Sequence, residues 1–484
     1  MKTKISGSIL LILLILLGSC SKELLTLGPK TSLGETNAFD TKDRIVGQVN
    51  GMYAFMKNGN YLGGRYFVYN DIRAENFLPK STNLVTGYAT WNHSVLSSTN
   101  EIQNLWGAVY ASVNAINIFH DGLVVNWESG KIKDIITEAE YNQFRSEALT
   151  LRSLCYFHLL QLYAQPYAKN SGDNRGLPLR LVAMKSGIEN DLAPTKVNAI
   201  YDQIVTDLNT AEGLAINAYA NDLLNTTRVH KNTIIALKTK VLLHMHNWGG
   251  VITESEKIVS ASAPFVAPIG RAFELNSTFA GIWAAPYTSK ESIFSMPFTA
   301  TNLPGTQNGM AHYNHPSSSE SYYLNNEEGG ILSKIDPADD RRKLMVEVGG
   351  NTFVGKWTNF VSQVEFAPVM RYAEVILNYS EALARNANAA TQKAVDLLNA
   401  VRTRSFPGGA YTLGDFSNLQ AFLDAVMLER SIEFLAEGQR NMDIMRTLSD
   451  IPAKGGVAVI TPSSSYYVWP IPNSELSINK LMVD

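Results

Sequence analysis

Several features that catalysts and metal centres depend on are scarce in this sequence. Cysteine occurs twice in 484 residues, at Cys20 and Cys155, so no disulfide framework can stand in for a core. With 45% hydrophobic residues the chain can build that core unaided, as one large domain or two closely packed ones. Cys155 falls within an apolar helical stripe, where a buried structural thiol is expected rather than a nucleophile. No G-x-S-x-G elbow exists. His244-Met245-His246 puts its histidines on different sides of a helix, and His312 with His315 stands in a loop without nearby Cys or acidic ligands. Neither pair offers the three or four convergent ligands of a zinc site, so no metal is expected. GGNTFVGKW (349–357) spaces Gly350, Gly355 and Lys356 like a P-loop, but Trp357 stands where Ser or Thr would hold magnesium. The stretch Leu344 to Trp357 reads instead as a hairpin around Gly349-Gly350-Asn351.

Positive charge is not in excess either. The balance is 41 basic against 44 acidic residues, which argues against nucleic acid as a partner. Long apolar runs are limited to Ile9–Leu17, behind Lys2 and Lys4. Nine residues are too few to span a bilayer, so residues 1–19 read as an export signal, and no second long apolar segment is evident. Leu17-Gly18-Ser19-Cys20 resembles the lipobox of bacterial lipoproteins, which implies diacylated Cys20 as the first mature residue. Two acyl chains suffice for stable anchoring. Residues 20–41 then form a polar tether.

What is plentiful is helical periodicity. Phe144, Ala148, Leu151, Cys155, Leu159 and Leu162 form one face of a helix from Glu138 to Tyr163, stopped by Gln165-Pro166-Tyr167. A helix over Val197–Leu214 is expected behind Pro194-Thr195, and another over Thr233–Trp248, closed by Gly249-Gly250. Arg371 to Arg404 is a 34-residue unit with tetratricopeptide-like spacings, in which small Ser380 and Ala394 permit close packing. One such unit cannot bury its own face, so more helix pairs must stack on it. Residues 61–100 and 261–367 differ, being loop-rich and dense in aromatics, as functional loops are.

LERSIEFLAEGQR (428–440) carries Glu429, Glu433 and Glu437 at intervals of four, on one face of a helix. Such acids suit a glycosidase pair, Glu433 with Glu437. Arg430 and Arg440 beside them, and Arg371, Arg402, Arg404 or Arg446 after packing, favour a structural ion-paired face.

FRSEALTLRSLCYFHLLQLYAQPY (144–167), IYDQIVTDLNTAEGLA (200–215), VMRYAEVILNYSEALA with AVDLLNAVRTR (369–404), MLERSIEFLAEGQRNMDIMR (427–446) and YVWPIPNSELSIN (467–479) occur in one order behind a lipoprotein signal. Together they resemble the SusD/RagB family of outer-membrane nutrient-binding lipoproteins. One departure is Lys480–Asp484, which ends where members usually continue into an Asn-Pro-rich tail. The resemblance implies a mainly α fold: an α-α superhelix of about four tetratricopeptide-like helix pairs (42–60, 101–260, 368–450) with a loop-rich lobe (61–100, 261–367) and an extended segment over 451–484. It implies no enzymatic activity, no cofactor, and a SusC-like TonB-dependent barrel as partner. The ligand it implies is glycan, or peptide as in some members. Family binding sites vary too much to transfer, so local composition supplies the candidates: Trp91, Trp283 and Tyr287 to stack on sugar faces, and Asn92, Arg73 and Asn76 to bond hydroxyls.

Overall fold

The computed structural model describes residues 37–186, 190–305 and 307–482. The expected signal segment, Cys20 and the tether up to residue 36 lie outside the described residues. Within them, eleven helices of seven or more residues form the frame: α1 (Lys42–Met56), α2 (Arg65–Ile72), α3 (Asn100–Glu128), α4 (Glu138–Tyr163), α5 (Val197–Leu214), α6 (Lys231–His244), α7 (Trp248–Ile258), α8 (Tyr372–Ala387), α9 (Gln392–Ser405), α10 (Leu419–Glu433) and α11 (Arg440–Arg446). They pack as four successive pairs, α1 with α3, α4 with α5, α6 with α7 and α8 with α9, and α10 closes the array against α8. The protein is thus mainly α, with the stacked helix pairs that the sequence demands.

Local signals set most boundaries. Thr137 and Glu140 form a reciprocal capping box at the start of α4, and Asn418 and Thr391 accept the first free backbone N–H groups of α10 and α9. The start of α5 is not a Thr195 cap: Thr195 lies in a short strand, and Lys196 occupies the N-cap position without a side-chain bond. The helix expected over Thr233–Trp248 is two helices. His246 takes a positive φ, and Asn247 caps α7 by accepting from the Gly250 N–H at 2.9 Å, so Gly249-Gly250 opens a helix instead of closing one.

Burial follows position in the array. α4 is enclosed without a break from Ser146 to Tyr163, beyond the single apolar face seen in its sequence, because helices cover it on several sides. Its polar residues survive burial through partners: Glu147 with Arg228, Arg152 with Asp207, and His158 with the Tyr61 hydroxyl at 2.8 Å. Burial pushes the Cys155 thiol up to about 12, which keeps it protonated and inert. α3 corrects one expectation, since its 29 residues are long and apolar enough to cross a bilayer. It packs between α1 and α4 through one face, with Ile102, Leu105, Val109, Val113 and Ile116 in the core, and leaves Ile118 and Val125 exposed. In the last pairs the Ser380 hydroxyl donates to the Ala394 carbonyl at 2.7 Å, a contact that larger side chains would prevent.

The loop-rich residues are tied to the frame by short antiparallel ladders. Phe77–Pro79 (β1) pairs with Tyr322–Leu324 (β5), which joins the two aromatic regions, and Arg175–Leu177 (β2) pairs with Thr195–Lys196 (β3) ahead of α5. Ser292–Met296 (β4) pairs with Ala367–Arg371 (β8), and β8 runs directly into α8. Met345–Val348 (β6) and Asn351–Val354 (β7) form the expected hairpin. Its two-residue loop, Gly349-Gly350, has φ of +60° and +81°, the twist-matched turn that glycine permits.

Candidate functional site

Two places answer the two functional questions that the sequence raises, one concerning acids and the other aromatics. α10 stops at Glu433, so Glu437 lies in the turn that follows, between Ala436 and Gly438 at positive φ. Glu429, Glu433 and Glu437 are nonetheless drawn together, buried at 0%, 0% and 4% exposure. All six of their carboxylate oxygens are bonded. Arg341 donates to Glu429 at 2.5 Å and to Glu433 at 3.2 Å, and Arg402 takes the other Glu429 oxygen at 3.0 Å. Arg371 donates to Glu433 and to both oxygens of Glu437, and also pairs with Glu291. Arg404 bridges Glu433 at 2.6 Å and Glu291 at 2.7 Å, while Lys356 holds Glu437 at 2.5 Å.

The acids of this network are saturated, although the buried Arg404 Nε has no partner, and their electrostatics follow from that. Burial favours the neutral acid at Glu433, but Arg404, Arg371 and Arg341 outweigh it and hold the carboxyl well below its usual range. A glycosidase acid must keep a proton near neutral pH, the opposite tuning. The acids are thus paired with arginines, as the nearby arginines suggested. Arg371, Arg402 and Arg404 reach them as expected, whereas Arg430 and Arg446 pair with Asp443, and Arg440 pairs with Glu75. Arg341, Lys356 and Glu291 were not foreseen.

Of the sequence-derived ligand candidates, three lie in the interior rather than at the surface. Trp91 is 4% exposed, donates its indole N–H to the Phe77 carbonyl at 2.8 Å, and packs on Tyr88. Arg73, 1% exposed, donates to the Tyr467 carbonyl at 2.7 Å. Asn76, 3% exposed, donates to the Ser431 hydroxyl at 3.0 Å. Each is enclosed by the protein and directs the groups named above at protein partners. Asn92 is exposed, but its turn is anchored through interior Trp91, whose ring neighbours are not those of Trp283.

Trp283 and Tyr287 do share a site. They line a narrow cleft, with an enclosed space of only about 20 Å³, together with Phe366, Trp357 and Glu365. The β4–β8 ladder forms its base, through Ser292 and Ser295 on one strand and Pro368 and Arg371 on the other. Tyr287 and Phe366 are half-buried rings with centroids 5.4 Å apart, and Trp283 sits 5.4 Å from Trp357. Tyr287 is held at φ +64°, a conformation that costs a residue with a Cβ and orients its ring at the wall. Behind Trp283 stand Lys356, at 4.7 Å from the ring centre, and Arg371, at 5.4 Å. The cleft therefore rests on the cationic side of the saturated network. Glu365 and Phe366 belong to this site without having been foreseen. The one signal was an acid between apolar residues in QVEFAP (363–368), which is also how an ordinary core-flanking acid looks.

Two family models match the chain: residues 342–484 match the SusD family, and residues 25–243 match a family described as starch-binding, associating with the outer membrane. Among known proteins the chain is similar to the SusD-like protein P25 of Formosa agariphila, at 21% identity over 99% of this chain and 98% of that one. Among solved structures, a SusD superfamily protein from Bacteroides fragilis superposes with a TM-score of 0.82 at 29% identity, covering 92% of this chain and 100% of that one. A SusD superfamily protein from Bacteroides thetaiotaomicron gives 0.78 at 22% identity, covering 91% and 98%. A protein from Bacteroides vulgatus described as a putative sugar binding protein gives 0.77 at 19%, covering 92% and 98%.

Proposed function

The chain belongs to the SusD/RagB family, and from that premise we propose that it is a non-catalytic outer-membrane lipoprotein that captures glycan at the cell surface. On this reading Cys20 carries the lipid, and the protein passes its cargo to a SusC-like TonB-dependent barrel transporter. The observation that carries the reading is the cleft: half-buried Tyr287 and Phe366 with Trp283 offer flat apolar faces, and sugar rings present C–H faces that lie well against them. The saturated acids support the absence of catalysis, since Glu433 and Glu437 have no free oxygen with which to attack or protonate a glycosidic bond.

Affinity electrophoresis through gels containing polysaccharides tests the cleft. Wild-type protein should be retarded by its glycan, and the double variant Trp283→Ala, Tyr287→Ala should run as in a blank gel. Equal retardation of both would remove the cleft from the reading. Incubation with the retained polysaccharide should release no reducing ends. A tagged copy extracted in detergent from its native membrane should bring down a large barrel, and recovery without one would remove the transporter from the proposal.

A further inference from the structure

The cleft has unspent hydrogen-bonding capacity, and its pattern restricts what the ligand can be. Lys356 and Arg371 line it, yet their donors are committed elsewhere. The Lys356 ammonium donates to the carbonyls of Glu433 and Leu435 and to Glu437, and Arg371 uses all three of its nitrogens on Glu433, Glu437 and Glu291. Neither has a donor left for an anionic ligand. Two buried polar atoms of lining residues have no partner. One is the Trp283 indole N–H, a pure donor. The other is one carboxylate oxygen of Glu365, a residue 8% exposed whose second oxygen accepts from the backbone N–H groups of Thr358 at 2.6 Å and Asn359 at 2.8 Å.

We infer that this cleft selects uncharged sugars, with Glu365 accepting from, and Trp283 donating to, a ligand group that is donor and acceptor at once. This inference rests on the glycan reading above and narrows it. A sugar hydroxyl meets both demands, and so does an acetamido group, through its N–H and its carbonyl. A uronate carboxylate or a sulfate meets only the donor and is repelled by the like charge of Glu365. Burial pushes the Glu365 carboxyl up, against the two backbone donors, and its charge adds to the rise of the Tyr287 phenol after burial. Both residues line the same cleft.

The test is retardation of the full chain in gels carrying neutral glucan, xylan or galactomannan, an N-acetylated polymer (glycol chitin), or anionic alginate or polygalacturonate. Wild type should be retarded by a neutral or N-acetylated polymer and by neither anionic one, and the first two classes separate hydroxyl from acetamido recognition. Glu365→Gln keeps the oxygen that Thr358 and Asn359 need and puts an N–H in place of the free acceptor. It should weaken retention about tenfold, with an unchanged far-UV spectrum and cooperative melt. Anionic polymers holding wild type as strongly as neutral ones would overturn the inference, as would neutral retention equal in wild type and Glu365→Gln; both outcomes leave the glycan reading standing. No retention by any polymer would overturn that reading and this inference together.

Discussion

Glu433 and Glu365 are both buried carboxylates in one protein, and their environments drive them in opposite directions. Around Glu433 every oxygen meets an arginine, so burial is outweighed and the carboxyl is held down. Around Glu365 two backbone N–H groups serve one oxygen, none serves the other, and burial wins. A site with nothing left to bond can only hold a shape. A site with a buried, unmet acceptor carries a desolvation cost that a ligand can remove. The two lie back to back, joined by Lys356 and Arg371, which close the first and line the second.

The largest effect expected of this contrast is on stability. Glu433→Leu strips a shared anion from Arg341, Arg371 and Arg404 at once, leaving buried guanidinium groups under-paired. Breaking such a network should cost about 3–5 kcal/mol. Urea unfolding should show the loss as a lower midpoint with little change in slope. A loss below about 1 kcal/mol, the scale of an exposed pair, would mean that the network is not what fixes the frame.

How much of this was legible depends on how far apart in sequence the partners lie. The α5 limits, the Gly349-Gly350 turn and the Ser380–Ala394 contact rest on spacings within one or two elements, and periodicity reveals those. That arginines would neutralise the acids was readable from composition near α10. Which ones was not: Arg341 stands 88 residues before Glu429, and Glu291 stands 80 before Arg371. The candidate site was less legible still. Trp91 and Trp283 look alike in sequence, each among aromatics and small polar residues, and only packing decides that one indole N–H finds a carbonyl and the other finds none.

A smaller effect, with a sign, comes from pH. Arginines hold the carboxyls of Glu433, Asp443 and Glu381 below their ordinary values against burial, with Glu381 at about 2 beside Arg446. Their contribution is fully present above the unfolded value, about 4.3 for Glu, and is lost as protons bind on the way down to about 2. Glu365, held up, has the opposite sign: its burial cost is present at neutral pH and relieved in acid. The melting temperature should fall steeply below about pH 5, and less steeply in Glu433→Leu. Equal slopes in the two proteins would place the acid sensitivity elsewhere.

The smallest effect separates the ring of Tyr287 from its backbone. At φ +64° a residue with a Cβ is strained, and glycine is not. Tyr287→Gly should therefore be more stable than Tyr287→Ala by about 1 kcal/mol, read as a difference in urea midpoint. Both variants lack the ring opposite Phe366, so both should be retarded less than wild type, and to the same degree, in the polysaccharide gel. If the glycine variant also regained retention, the backbone and not the aromatic face would be what the ligand meets. If the two variants were equally stable, the strain would be absent. The cleft would then differ from the frame only in its unbonded atoms, not in the conformation that holds its wall.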